Sequence, residues 1–267
     1  MTRSFLPPSA PTVAPGAFGY NRGVVRQNYA FLPPEGILQS RLPDFERTAV
    51  HFQTAPAMGA KFAQALLVID SGGGTRKVLC NELQHFFYIL SGTVELTLDG
   101  AGPTLLAAGG YAYLPPRTGF SLRNEAAETA RVLWLKRPYA PIEDFAVPKP
   151  IISHVDAVEA INHGGNVGRS WKHLLPRDDL RFDMEINILG FAPGAHFPAV
   201  ETHIMEHGLY MLKGQGIYLL DNQWHETWQD DFIWMGPFLP HLFYPTGWSD
   251  SAYLLYKDVN RDVDFAA

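Results

Sequence analysis

The feature that most restricts what this chain can become is that part of it occurs twice. The stretch His85-Phe-Phe-Tyr88-Ile-Leu90-Ser-Gly92-Thr-Val-Glu-Leu-Thr-Leu98-Asp99 runs against His207-Gly-Leu-Tyr210-Met-Leu212-Lys-Gly214-Gln-Gly-Ile-Tyr-Leu-Leu220-Asp221 at a constant offset of 122 residues. His, Tyr, Leu, Gly, Leu and Asp coincide. A period this long marks a duplicated domain rather than a solenoid, whose units repeat every ~20–50 residues. Around the first copy, short apolar runs (Phe62–Ile69, Phe86–Leu90, Val94–Leu98, Tyr111–Leu114, Val132–Leu135) are separated by Gly72-Gly73-Gly74, Ser91-Gly92 and Asp99-Gly100. The same rhythm resumes from Phe182 to Tyr256. Runs of this length, with Gly-containing turns and no sustained helical periodicity, predict a β-sandwich or barrel for each copy.

The 267 residues then fall into four parts. Residues 1–55, broken by Pro7-Pro8, Pro11, Pro15, Pro33-Pro34 and Pro43, read as an extended arm with one or two edge strands. Residues 56–137 form the first β unit, 138–180 a linker stiffened by Pro138, Pro141, Pro148 and Pro150, and 181–267 the second β unit. Inside the linker, Val155 to Ile161 reads as a short helix closed by Gly164-Gly165.

Composition narrows the choice of partner. A net charge of −6 without a lysine or arginine cluster argues against nucleic acid and against an anionic membrane, leaving a small molecule as the default. Cys80 is the single cysteine, so no intramolecular disulfide can form, and its Val-Leu-Cys context reads as strand core. The first sixteen residues lack the basic start and apolar run of a signal peptide, and no apolar stretch approaches the ~20 residues of a membrane span. A soluble, cytoplasmic protein is the expectation.

Chemistry concentrates at Glu201-Thr-His203-Ile-Met-Glu-His207. Read as a strand, this stretch sends Glu201 and His203 to one face, with His207 within reach of the same point and His241 available further on. One carboxylate and several imidazoles suit manganese, iron or zinc better than calcium or magnesium. In the last strand Tyr253, Leu255 and Lys257 share a face. A buried Lys257 needs an anion, either a substrate group or the neighbouring Asp258.

These residues resemble the cupin superfamily, whose first motif has the form His-x-His-x(3,4)-Glu-x6-Gly and whose second motif supplies one more His. Here the ligand types are permuted, with Glu201 at the first position, His203 at the second, His207 in place of the Glu and Gly214 seven residues on. Asp231-Phe-Ile-Trp-Met-Gly-Pro-Phe-Leu-Pro-His241 keeps the acidic start and final His of the second motif, with Gly236 and Phe238 where Pro and Gly are common. In the first copy Leu79, Asn81 and Phe120 (or Gly119) replace ligands and only His85 remains, which reads as a hydrogen-bonded structural histidine. The resemblance implies two tandem cupin barrels (double-stranded β-helix, jelly-roll) in an all-β chain, only the second holding metal, and a homo-oligomer.

A closer resemblance is to the bicupin (S)-ureidoglycine aminohydrolases of allantoin breakdown. It is carried by the Glu201-Thr-His203-Ile-Met-Glu-His207 string, by Gly216-Ile-Tyr218 and by Tyr253-Leu-Leu-Tyr256-Lys257-Asp258-Val-Asn260-Arg261, and more weakly by Arg22-Gly-Val-Val in the arm. It implies hydrolysis of (S)-ureidoglycine to (S)-ureidoglycolate and ammonia with Mn2+ held by Glu201, His203, His207 and His241, and substrate contacts from Tyr218, Tyr253 and Lys257. His241 stands where that family commonly has Gln. Glu201 is expected to act also as a proton shuttle, since a carboxylate moves between metal and hydrogen bond more readily than an imidazole, while Glu206 is a rival base expected to face away. Two other readings remain: a metal-dependent cupin dioxygenase and a non-catalytic bicupin that binds a small ligand.

Overall fold

The computed structural model describes residues 22–263, so the proline-rich start of the expected arm, with Pro7-Pro8, Pro11 and Pro15, lies outside the described residues. The protein is all-β. Helical structure among the described residues is confined to four three-residue 3-10 turns, and no helix is long and apolar enough to cross a membrane. The chain forms two compact units.

The first unit comprises Gln39–Glu159, His173–Glu185 and the chain from Asp258. Its sheet runs in the order Ile151–His154, Gly110–Leu114, Leu83–Ser91, Ala130–Pro138, Ala63–Thr75, Phe120–Asn124, Thr93–Leu98, Pro103–Ala107, with Phe45–Thr54 also paired to Ala63–Thr75. Neighbouring strands pair antiparallel. Alternate residues turn inward by the period of two, so Leu67 and Ile69, Phe87 and Ile89, and Val132 and Trp134 meet in one buried cluster.

The other unit comprises the described residues up to Leu38, Ala160–Lys172 and Ile186–Lys257. Its main sheet runs Val24–Val25, Tyr29–Leu32, Phe232–Met235, His207–Lys213, Ser251–Asp258, Met184–Phe191, Arg169–His173, Ile161–Asn162, and a smaller sheet joins Gln223–Trp228, Gln215–Leu220 and His241–Pro245. Equivalent strands follow in the same order in both units, so the duplication holds at the level of topology. Tyr29–Leu32 completes the main sheet by pairing with Phe232–Met235. Arg22 fastens its approach, donating to both Asp231 carboxylate oxygens at 2.8 Å and lying 4.2 Å over the Trp228 ring.

Two expectations are corrected. The helix expected over Val155–Ile161 is a single 3-10 turn, Val155–Ala157, after which Ile161 pairs with Trp171. Seven residues are too few for propagation to offset the cost of helix nucleation. Cys80 is exposed rather than strand core. Of its run only Leu79 pairs, in an isolated bridge with Phe120, and the residues on either side turn to the opposite face.

The glycine shared by the two copies has one physical reason in both. Gly92 and Gly214 have φ of +73° and +80°, and a Cβ would lie 2.8 Å from the Ala130 Cα and 2.7 Å from the Ser251 Cα respectively. Each lets the last long strand of its barrel cross at backbone contact. Gly92→Ala and Gly214→Ala are each expected to destabilise by about 2–4 kcal/mol, combining left-handed strain with a backbone clash. Gly36→Ala, where a Cβ meets nothing within 4 Å, is expected to be near neutral; chemical-denaturation midpoints check all three.

Candidate metal centre

The strand expected over Glu201–His207 begins only at His207. Six residues of extended chain would spread these side chains over ~20 Å, too far for one ion. Glu201 instead forms a two-way bridge with His241, its N–H donating to the His241 carbonyl at 2.9 Å and its carbonyl accepting from the His241 N–H at 3.0 Å. A loop then carries His203 back, its carbonyl accepting from the Phe238 N–H at 2.7 Å. The rings of His203, His207 and His241 consequently converge, with centroids 4.7, 5.0 and 5.1 Å apart.

One nitrogen from each ring lies within 4.8 Å of the others. His203 Nδ1 and His207 Nε2 are buried without a hydrogen-bond partner among the described residues, a costly state unless something accepts their lone pairs. The contact between His241 Nδ1 and the Leu239 carbonyl, at 2.8 Å, places the proton on Nδ1 and leaves the Nε2 lone pair directed inward. Burial pushes all three imidazoles below their ordinary range, and their mutual proximity pushes His203 and His207 further. Three neutral, converging imidazoles fit a divalent transition ion. Glu201 lies beside this cluster, its Oε2 3.7 Å from His241 Nε2. Burial raises the Glu201 carboxyl, against the pull of the neighbouring His203, Lys257 and Arg169.

The surrounding wall contains the other expected residues. Lys257 lies directly across the sheet from His207, and its Nζ sits 5.4 Å over the Trp171 ring. Its charge acts on Glu201, His203 and His207. Tyr218 and Tyr253 are buried and hydrogen-bonded to each other, and burial beside Glu201 raises both phenols. Glu206 accepts from the Trp234 indole at 2.7 Å.

Comparison with known proteins fits this geometry. A family model described as Cupin domain matches residues 65–136. An (S)-ureidoglycine aminohydrolase of Escherichia coli is 36% identical over 247 residues, covering 91% of this chain and 94% of the relative. The chain belongs to the (S)-ureidoglycine aminohydrolase family. The Arabidopsis thaliana member is 32% identical, with 94% and 84% covered. Among solved structures, protein Ylba from E. coli superposes with a TM-score of 0.82 at 33% identity (92% and 97% covered), and a putative glyoxylate induced protein from Pseudomonas aeruginosa with 0.85 at 28% identity (94% and 96% covered).

In this family member the first barrel preserves the frame of the site without its ligands. The Leu79–Phe120 bridge corresponds to Glu201–His241, and the Asp99 N–H to Gly119 carbonyl bond to that from Asp221 to Pro240, so Phe120 is the counterpart of His241. His85 Nε2 meets Asn81 Oδ1 at 3.1 Å, while the Trp134 indole donates to His85 Nδ1 at 3.0 Å. Its ring packs among Phe87, Phe120 and Trp134. Sequence reading missed one residue of the second barrel, Arg169, which lay in the expected linker and carries no motif.

Removing a ligand should remove the metal: His207→Ala is expected to abolish stoichiometric binding of a divalent ion, measured by elemental analysis, whereas His85→Ala should leave it unchanged. His85 makes a separate prediction. Burial lowers its pKa from 6.5 to about 3, so its stabilising contribution is complete above pH 6.5 and is lost as pH falls towards 3. Unfolding free energy attributable to His85 should fall by about 1.4 kcal/mol per pH unit in that window. Denaturation of His85→Phe across pH 4–7 should therefore show a shallower acid loss than wild type.

Proposed function

We propose that the protein hydrolyses (S)-ureidoglycine to (S)-ureidoglycolate and ammonia, as a step of purine catabolism, using a manganese ion held by Glu201, His203, His207 and His241. The observation that carries this reading is the convergence of three histidine nitrogens beside Glu201, under a wall containing Tyr218, Tyr253 and Lys257. The ureidoglycine aminohydrolase names of the relatives from E. coli and A. thaliana supply the reaction.

The substrate bears an amine, a ureido nitrogen and a carboxylate on one carbon. In the reaction water oxygen bonds to that carbon, the carbon–amine bond breaks, and the amine leaves as ammonia after gaining a proton. A bound divalent ion would supply Lewis acidity and a fixed template for the substrate. The chain's own residues do the rest. Glu201, half-exposed at the rim of the histidine cluster, takes the proton from water and returns it to the departing nitrogen. Lys257 meets an anionic or carbonyl oxygen of the substrate. Tyr218 and Tyr253 share one hydrogen bond, so one hydroxyl proton of the pair is left for a substrate acceptor. Two buried tyrosines and Phe243 exclude water from the rear of the site.

Ammonia release from freshly generated (S)-ureidoglycine tests the reading. Manganese-loaded protein is expected to exceed metal-stripped protein by orders of magnitude, and Glu201→Gln to lose about 10²–10⁴-fold in kcat while Glu206→Gln, with its Trp234 contact, retains turnover. Undiminished turnover in metal-loaded Glu201→Gln would eliminate the shuttle. Oxygen consumption by iron-loaded protein without any ammonia release would replace the whole reading by a dioxygenase.

A further inference from the structure

We propose that Arg169 is the residue that recognises the carboxylate of the substrate. This rests on the reaction proposed above for the choice of substrate, but the placement of Arg169 does not. Arg169 opens the strand Arg169–His173, which the segment between the two repeats adds beside Met184–Phe191 in the metal-binding unit. By the period of two, Arg169 and Trp171 share the face that packs on the core, and Ser170 takes the other. Trp171 underlies Lys257, and Arg169 lies against Phe197.

Its surroundings are those of a binding group rather than of a structural cation. Only 6% of Arg169 is exposed, and its Nε is buried without a hydrogen-bond partner among the described residues. The guanidinium carbon lies 5.4 Å from the centroid of the Phe197 ring, which packs on Phe191, which in turn packs on Tyr253 at 5.5 Å. The charge of Arg169 acts on both Glu201 and Tyr253. A guanidinium cannot shed its proton, so burying it with an open N–H is costly unless an anion completes it. Glu201 is a carboxylate on which that charge acts, and its Oε2 lies 3.7 Å from His241 Nε2. A substrate carboxylate is the anion that the open N–H of Arg169 would take.

The planar fork of Arg matches a carboxylate with two parallel N–H donors, whereas Lys257 offers a point charge to a single oxygen. Arg169 thus takes the substrate carboxylate and Lys257 the ureido oxygen. With the carboxylate and the ureido group held at separate points, the amine on the same carbon has one orientation left. This makes Arg169 a specificity-determining residue, acting at a part of the substrate that does not react.

Glycolate and its amide, glycolamide, form the test, since they differ only in the charge that Arg169 is assigned to read. Binding of each to the metal-loaded protein is measured by calorimetry, with wild type, Arg169→Gln and Arg169→Lys compared at equal metal content and equal thermal midpoint. Wild type is expected to prefer glycolate by about 10- to 100-fold, Arg169→Gln to lose most of that preference, and Arg169→Lys to keep an intermediate part of it. For ureidoglycine the matching result is a KM raised by a similar factor with kcat changed far less. An unchanged preference for glycolate in Arg169→Gln overturns the assignment. Failure of wild-type protein to release ammonia from ureidoglycine, with the glycolate preference intact and dependent on Arg169, would overturn the reaction and leave the carboxylate site standing.

Discussion

The second barrel is built around a desolvated cluster of imidazoles. His207 and His241 are buried, His203 is half-buried, and the nitrogens that face one another include two with no hydrogen-bond partner among the described residues. Such a cluster opposes folding unless an electrophile occupies its centre, because each unpaired polar atom taken from water costs on the order of 1–3 kcal/mol. The backbone is arranged to tolerate it: the Glu201–His241 bridge, the Phe238 bond to the His203 carbonyl and the Leu239 carbonyl on His241 Nδ1 fix three rings on three separate pieces of chain. Phe238 adopts φ of +61° in doing so, at a position where glycine is the easier residue. That strain is consistent with a loop shaped by the site rather than by local preference.

The first barrel shows the same frame with the opposite solution. Leu79, Asn81 and Phe120 replace three ligand positions, and the one remaining imidazole is closed off by Asn81 and the Trp134 indole inside an aromatic cluster. The glycine turn and the approach of the final strand were kept in both copies because they serve the barrel rather than the chemistry.

Much of this was legible in the chain itself. The offset between His85 and His207, with the glycine and aspartate that follow, pointed to two barrels, and the His-x-x-x-His spacing with His241 pointed to the three histidines whose rings converge. The route by which they converge was not legible, because strand alternation and a loop fold-back give the same residue spacing; the difference lies in the Glu201 and His203 backbone partners, which are distant in sequence. Cys80 was misplaced for a related reason, since an apolar tripeptide does not reveal that only its middle residue pairs. Arg169 left no sequence signal because its meaning comes from burial beside Phe197, and an isolated arginine before a short strand looks like solvated surface.

The central claim is that one chain holds one ion, at the second barrel's histidine cluster, with Glu201 joining it. Anomalous X-ray diffraction from crystals of the manganese-loaded protein tests this most directly. A single anomalous peak per chain is expected among His203, His207 and His241, with a Glu201 oxygen within about 2.0–2.4 Å of it. A peak at His85 in the first barrel, or a peak in the second with Glu201 turned away, would contradict the account.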